Sequence, residues 1–187
     1  MSLAELADRP FELLLELERR ARAAVAAREG QKSAVDEWVG IGFRLGAEQF
    51  VTGRGDVREV LPLPEHVTRV PGAKPWLRGI ANLRGQLLTV VDLKAFLGNG
   101  SVAPDRRARV LVVASRDVPT GLVVDEVLGF RRFGAEEYRE ELPPTVIRCE
   151  RYLEGCYRRG VDLWPRFSLL KLLADEQFLH AGETVNA

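Results

Sequence analysis

The side chains best suited to chemistry in this chain are two thiols, Cys149 and Cys156, and two imidazoles, His66 and His180. A thiol beside an imidazole makes an activated nucleophile, and both groups ligate zinc, but each use needs partners at defined spacing. The two cysteines fit neither a Cys-x-x-Cys redox motif nor a zinc finger. No Gly-x-Ser-x-Gly elbow occurs. The histidines lie far apart in a sequence without a metal-ligand neighbourhood, so each reads as a surface or cap residue. Gly40-Ile-Gly42-Phe-Arg-Leu-Gly46 approaches a dinucleotide fingerprint. It is one residue too long, and alternation runs on where a helix should begin. Asp125 and Glu126 are adjacent, so on a strand they face opposite ways and cannot act on one substrate. Arg54-Gly55-Asp56 reads as a tight turn between strands, with Gly supplying a positive φ. The sequence therefore carries no catalytic residue, metal site or cofactor motif. A site assembled in space from distant residues stays open as the enzymatic alternative.

Composition narrows the remaining classes. The 27 basic residues balance the 27 acidic ones, so no net field steers a polyanion. A nucleic-acid-binding β-barrel, the second alternative, would want such a field and a steep salt dependence. With 46% apolar and 29% charged residues the chain is globular rather than disordered. Two cysteines do not make a disulfide scaffold. The N-terminal apolar stretch is broken by Glu12, Glu16 and Glu18, against a secretory signal. No run approaches a membrane span. The expectation is a reduced, soluble, cytoplasmic protein that does not insert into membranes.

The elements that would position any site are mostly strands. Residues 10–28 are the exception: Leu14, Leu17, Ala21, Ala24 and Val25 share a helical face, with Glu16–Arg20 and Glu18–Arg22 at i,i+4 spacing. Gly30 ends this helix. Ile41, Phe43 and Leu45 alternate with Gly42, Arg44 and Gly46, which predicts a half-buried strand turning at Gly46-Ala47 into Phe50-Val51. Further strands are expected over 57–63, 87–93, 110–114, 121–130 and 152–158. Leu169, Leu172, Leu173 and Gln177 lie on one side of a C-terminal helix. Trp164-Pro165 is expected to interrupt a strand.

The chain also echoes itself. Val57-Arg-Glu-Val-Leu61 matches Val124-Asp-Glu-Val-Leu128, and Leu77-Arg-Gly79 matches Leu153-Glu-Gly155. Gly79 precedes Asp92 by the same interval as Gly155 precedes Ser168, and Lys94 and Lys171 follow. A structural origin implies two similar β subdomains side by side.

The ordered set Val57–Leu61, Val70-Pro71, Leu77-x-Gly79, Asn82-Leu-Arg-Gly85, Val91-Asp-Leu93, Gly121-Leu-Val-Val-Asp-Glu-Val127, Tyr152-Leu-x-Gly155 and Leu169-Leu-Lys-Leu-Leu173 resembles the CheW-like domain. Phe11-Glu-Leu-Leu-Leu-Glu-Leu and Trp38-Val-Gly-Ile-Gly-Phe43 are similar to the PilI-type adaptors of type IV pilus chemosensory systems. The resemblance implies a mainly β fold of two SH3-like five-stranded barrel subdomains with an N-terminal and a C-terminal helix. Residues 1–37 would be a helical extension and connector, 38–182 the CheW-like domain and 183–187 a tail. It implies no catalysis and no cofactor. It also implies binding to the regulatory domain of a CheA-type histidine kinase and to a chemoreceptor cytoplasmic tip, with assembly into rings or arrays. Partner-binding positions carried over are Val57, Arg58, Glu59, Asn82, Leu83, Arg84 and Gly85. Val57 and Glu59, two apart, are expected on one strand face. Where the family has Asp or Asn before the closing helix, this chain has Ser168, which can still cap it.

Overall fold

The computed structural model describes residues 37–115 and 119–181. The helix expected over 10–28 and the tail at 183–187 lie outside them. The described strands are β1 (Trp38–Leu45), β2 (Glu48–Gly53), β3 (Val57–Pro62), β4 (Leu77–Leu83), β5 (Gln86–Asp92), β6 (Arg109–Val113), β7 (Thr120–Val124), β8 (Glu126–Phe133), β9 (Tyr138–Arg139), β10 (Leu153–Arg159) and β11 (Asp162–Phe167). Three short helices punctuate them: α1 (Leu93–Phe96), α2 (Leu169–Leu173) and α3 (Glu176–Leu179).

They form two sheets, one ordered β3-β6-β7-β5-β4 and the other β8-β1-β2-β11-β10-β9. The N-terminal hairpin thus joins the C-terminal strands, and β3–β7 are enclosed between them in sequence. Side chains from all five strands of the first sheet, including Leu61, Ala81, Val90, Val112 and Val123, meet in one small core. A sheet whose two margins share a core must curl round it. The second sheet wraps Val51, Phe133, Tyr157 and Trp164, with Trp38 and Tyr138 against them. Its sixth strand, the two-residue β9, exceeds the expected five.

A third and larger core lies between the sheets. Strand alternation sorts residues among these cores: on β6, Val110 and Val112 enter the first barrel while Leu111 and Val113 enter the shared core. Phe43, Phe50 and Phe167 pack there at 5.7–6.2 Å between centroids, in the stacked and edge-on geometries aromatic quadrupoles favour.

The echo in the sequence is a repeat in structure: β4-β5-α1 corresponds to β10-β11-α2. Gly79 (φ +136°) and Gly155 (φ +116°) occupy matching places. Each lies at a register shift, and each leaves room for a crossing chain. A Cβ would stand 2.1 Å from the Thr68 carbonyl oxygen at Gly79, and 2.5 Å from that of Arg139 at Gly155. Only glycine tolerates both the φ and the approach. Gly79→Ala is therefore expected to cost more than about 2 kcal/mol in urea unfolding; an unchanged midpoint would show that the Thr68 segment yields freely. At the repeat's end, the Asp92 side chain accepts from Ala95 N (3.0 Å), and Ser168 Oγ accepts from Lys171 N (3.4 Å). Ser168 thus caps α2 as expected.

Several expectations change. Strand β11 runs through Pro165, which pairs with Cys156 next to the register shift of β10. On its other side, the pairing with β2 is the single Arg166–Val51 rung, so the missing N–H disrupts no regular ladder. The run 121–130 is two strands broken at Asp125, where the chain passes between sheets; Asp125 N donates to the Arg44 carbonyl and its carboxylate accepts from Gly46 N (2.6 Å). Gly55 sits in a short 3-10 turn and is not among the positive-φ glycines. Leu77–Leu83, not anticipated as a strand, pairs with β5.

The C-terminal helix is two helices, because the Asp175 carboxylate starts a new one by accepting from Gln177 N (2.7 Å). It also accepts from Tyr152 Oη (2.6 Å) and meets Arg151 (3.2 Å). These contacts, the tyrosine hydroxyl first, hold the Asp175 carboxyl below the usual range. A depressed folded value gives stability that is full above the unfolded aspartate value, about 3.9, and lost as pH falls through the folded one. Asp175→Asn should accordingly lower the melting temperature at pH 7, and the gap to wild type should close on acidification below that value.

Candidate partner-binding site

β4 and β5 are joined by an exposed two-residue turn. Arg84 (φ +52°) and Gly85 (φ +81°) are both left-handed, which is the type I′ geometry that matches strand twist. Leu83 and Gln86 are the closing pair. Asn82 Oδ1 accepts from Gly85 N (3.0 Å) and braces the turn, while Leu83 leans on the barrel core. Type I′ turns prefer Asn, Asp or Gly at the first position. Arg84 is the one described non-glycine residue with positive φ, a conformation costing of order 1–2 kcal/mol.

The guanidinium so presented is 75% exposed and donates from Nη1 to Glu59 Oε2 at 2.8 Å. The other Glu59 oxygen faces Arg58 at 3.5 Å. β3 and β4 are the two margins of the five-stranded sheet, so Glu59 and Arg84 span the seam where that sheet closes.

Val57 and Glu59 do not share a face. Pairing shifts between them: Val57 lies opposite Val113 and Glu59 opposite Val112. Val113 belongs to the shared core and Val112 to the first barrel. Arg58 is the extra residue of a β-bulge, which reverses the alternation. Val57 is buried in the shared core, and Glu59 is half-buried at the mouth of the first barrel. The structure therefore brings Arg58, Glu59, Asn82, Leu83, Arg84 and Gly85 into one neighbourhood, with Val57 supporting from beneath.

Apolar neighbours complete the face. Ile80 and Leu87 are 40% and 66% exposed, and Leu87 is the cross-strand partner of Asn82. Leu87 escaped notice because Leu87–Val91 is apolar at every position but Thr89. The signal was available one strand earlier, where Ile80 and Asn82 alternate with Gly79, Ala81 and Leu83.

The nucleophiles are buried away from this face. Both cysteines are free and buried, and burial pushes the Cys149 thiol up to about 12. Thiolate is then scarce at neutral pH, the opposite of an activated nucleophile. Among the described residues no cluster of three or more His, Cys, Asp or Glu could hold a metal ion. No described helix is long and apolar enough to cross a membrane.

A curled five-stranded sheet and a curled six-stranded sheet about a shared core, with an exposed Asn-Leu-Arg-Gly corner, define a two-barrel β module. A CheW-like domain model matches residues 39–177, and the chain belongs to that family. It is 41% identical to Protein PilI of Pseudomonas aeruginosa over 91% of this chain and 94% of that protein. It is 27% identical to the chemotaxis protein CheW of Klebsiella aerogenes over 72% of this chain and 81% of that one. Its fold is similar to the crystal structure of the scaffolding protein TtCheW from Thermoanaerobacter tengcongensis. The TM-score is 0.61 at 26% identity, covering 71% of this chain and 89% of that one.

Proposed function

We propose that this chain is a non-enzymatic, cytoplasmic adaptor. It couples the cytoplasmic tip of a chemoreceptor to the regulatory domain of a CheA-type histidine kinase, in a chemosensory array controlling type IV pilus-dependent twitching motility. The similarity to Protein PilI along nearly the whole of both chains supports the pilus assignment. The observation that carries the binding role is Arg84, kept exposed in a costly backbone conformation at the tip of a hairpin. Strain that the fold maintains without a packing benefit is characteristic of binding sites.

In this reading Arg84 offers a forked donor to carboxylate or carbonyl groups on a receptor helix. Glu59 and Arg58 set its orientation, Asn82 and Gly85 shape the turn, and Leu83 and Val57 tie the two strands to their cores. Array contacts are individually weak and act through multiplicity. The test is a pelleting assay with receptor cytoplasmic fragments assembled on vesicles. Kinase should sediment with receptor only when this chain is present. Kinase recruitment independent of the chain would remove the coupling role.

A further inference from the structure

A cleft of about 680 Å³ has no part in the face described above. It lies between residues 65–75, the start of β4 and the 101–104 loop. Its size is that of small-molecule sites. Three cations line it, Arg69, Lys74 and Arg78, against the single carboxylate of Glu65. This is a local excess in a chain whose total charge is zero.

The cations differ in kind. Arg78 is fixed: Nε and Nη2 donate to the buried Asp92 carboxylate at 3.2 and 2.7 Å, and Nη2 also donates to the Val102 carbonyl at 2.5 Å. Its Nη1 has no partner among the described residues. Asp92 is immobilised in turn by Ser101 Oγ (2.5 Å) and Val102 N (3.0 Å). Arg69 and Lys74, by contrast, make no ion pair among the described residues. Apolar surface from Val67, Leu77 and Val102 completes the lining. The wall carrying Val67 and Arg69 is pinned to β4 by the reciprocal Thr68–Ile80 backbone bonds, both 2.8 Å.

We propose that this cleft binds a small organic anion, a phosphate or carboxylate group carried on an apolar body. The charged group meets Arg69, Lys74 and the free edge of Arg78, and the body lies on the apolar wall. A rigid guanidinium loses little entropy on binding, and Arg69 and Lys74 give up no ion pair among the described residues to the ligand.

The test is a titration of the full chain followed in ¹H–¹⁵N spectra, with phenyl phosphate, inorganic phosphate and benzyl alcohol as separate probes. Phenyl phosphate has eleven non-hydrogen atoms, and at drug-like ligand efficiency its titration should have a midpoint of about 4 mM. Shifts should be confined to amides around Arg69, Lys74, Arg78 and Val102. Inorganic phosphate should bind at least about tenfold more weakly, because it lacks the apolar body, and benzyl alcohol should not bind, because it lacks the charge. The Arg69→Gln/Lys74→Gln double variant, which alters one exposed and one half-buried side chain and no core residue, should weaken phenyl phosphate by at least about tenfold. Absence of shifts at about 40 mM, about ten times that expected midpoint, overturns the proposal. So does binding that the double variant leaves unchanged, or shifts centred elsewhere.

Discussion

Arg84→Glu is expected to abolish receptor-dependent kinase recruitment while leaving the fold intact. The side chain is 75% exposed, and its one ion pair among the described residues crosses a solvent-facing seam. Such pairs are worth about 0–1 kcal/mol, so the melting temperature should move by only a few degrees. At the interface the change reverses a charge, and a carboxylate then stands against Glu59 and against any partner carboxylate. A second substitution separates structure from binding. Arg84→Asn creates Asn-Gly, the preferred type I′ pair, and should keep or raise stability by up to about 1 kcal/mol. Coupling should still be lost. A variant that is more stable yet uncoupled identifies the strained arginine as kept for its partner. If Arg84→Asn retained full coupling, the guanidinium would have no binding role.

The largest effect on stability should come from Asp92→Ala. Asp92 is 1% exposed. Its carboxylate gathers two donors from Arg78, the Ser101 hydroxyl, the Val102 amide and the Ala95 amide that starts α1. Removing it leaves a half-buried guanidinium and several donors without acceptors, which typically costs about 3–5 kcal/mol. The matching residue of the repeat, Ser168, makes one long cap bond at 3.4 Å. Ser168→Ala should cost only about 1 kcal/mol. Urea unfolding of the two variants side by side checks the contrast. Similar losses would mean that helix capping alone, and not the buried ion pair, sets the importance of the position.

The sequence made much of this architecture legible where one residue type had one physical use. Alternation at Ile41, Phe43 and Leu45 and the turn at Gly46 returned β1 and β2 with their hairpin. The spacing of Gly79 and Gly155 announced two copies of one unit, because both are places where another chain crosses too closely for a Cβ. The Asn-Leu-Arg-Gly corner stood out for the same reason: Gly85 after a polar bracing Asn82 is turn chemistry.

What could not be read depended on pairing. A bulge is defined by two strands together, so the shift at Arg58, and with it the opposite faces of Val57 and Glu59, left no mark in β3 alone. The tolerance of Pro165 likewise depends on the sparse pairing of β11 with β2. The exchange of the N-terminal hairpin into the C-terminal sheet is a contact between residues about a hundred positions apart, such as Val51 and Arg166. Local periodicity carries no information about that. The exposure of Leu87 was hidden for the reverse reason: Leu88 and Val90 enter one core and Val91 another, and the run is apolar apart from Thr89.

The measurement that bears most directly on the adaptor assignment is a calorimetric titration of the full chain with the isolated regulatory domain of a CheA-type kinase from the same genome, at two salt concentrations. An adaptor should bind saturably, one to one. No binding at any attainable concentration, by a chain whose spectra show it folded, would overturn the coupling role.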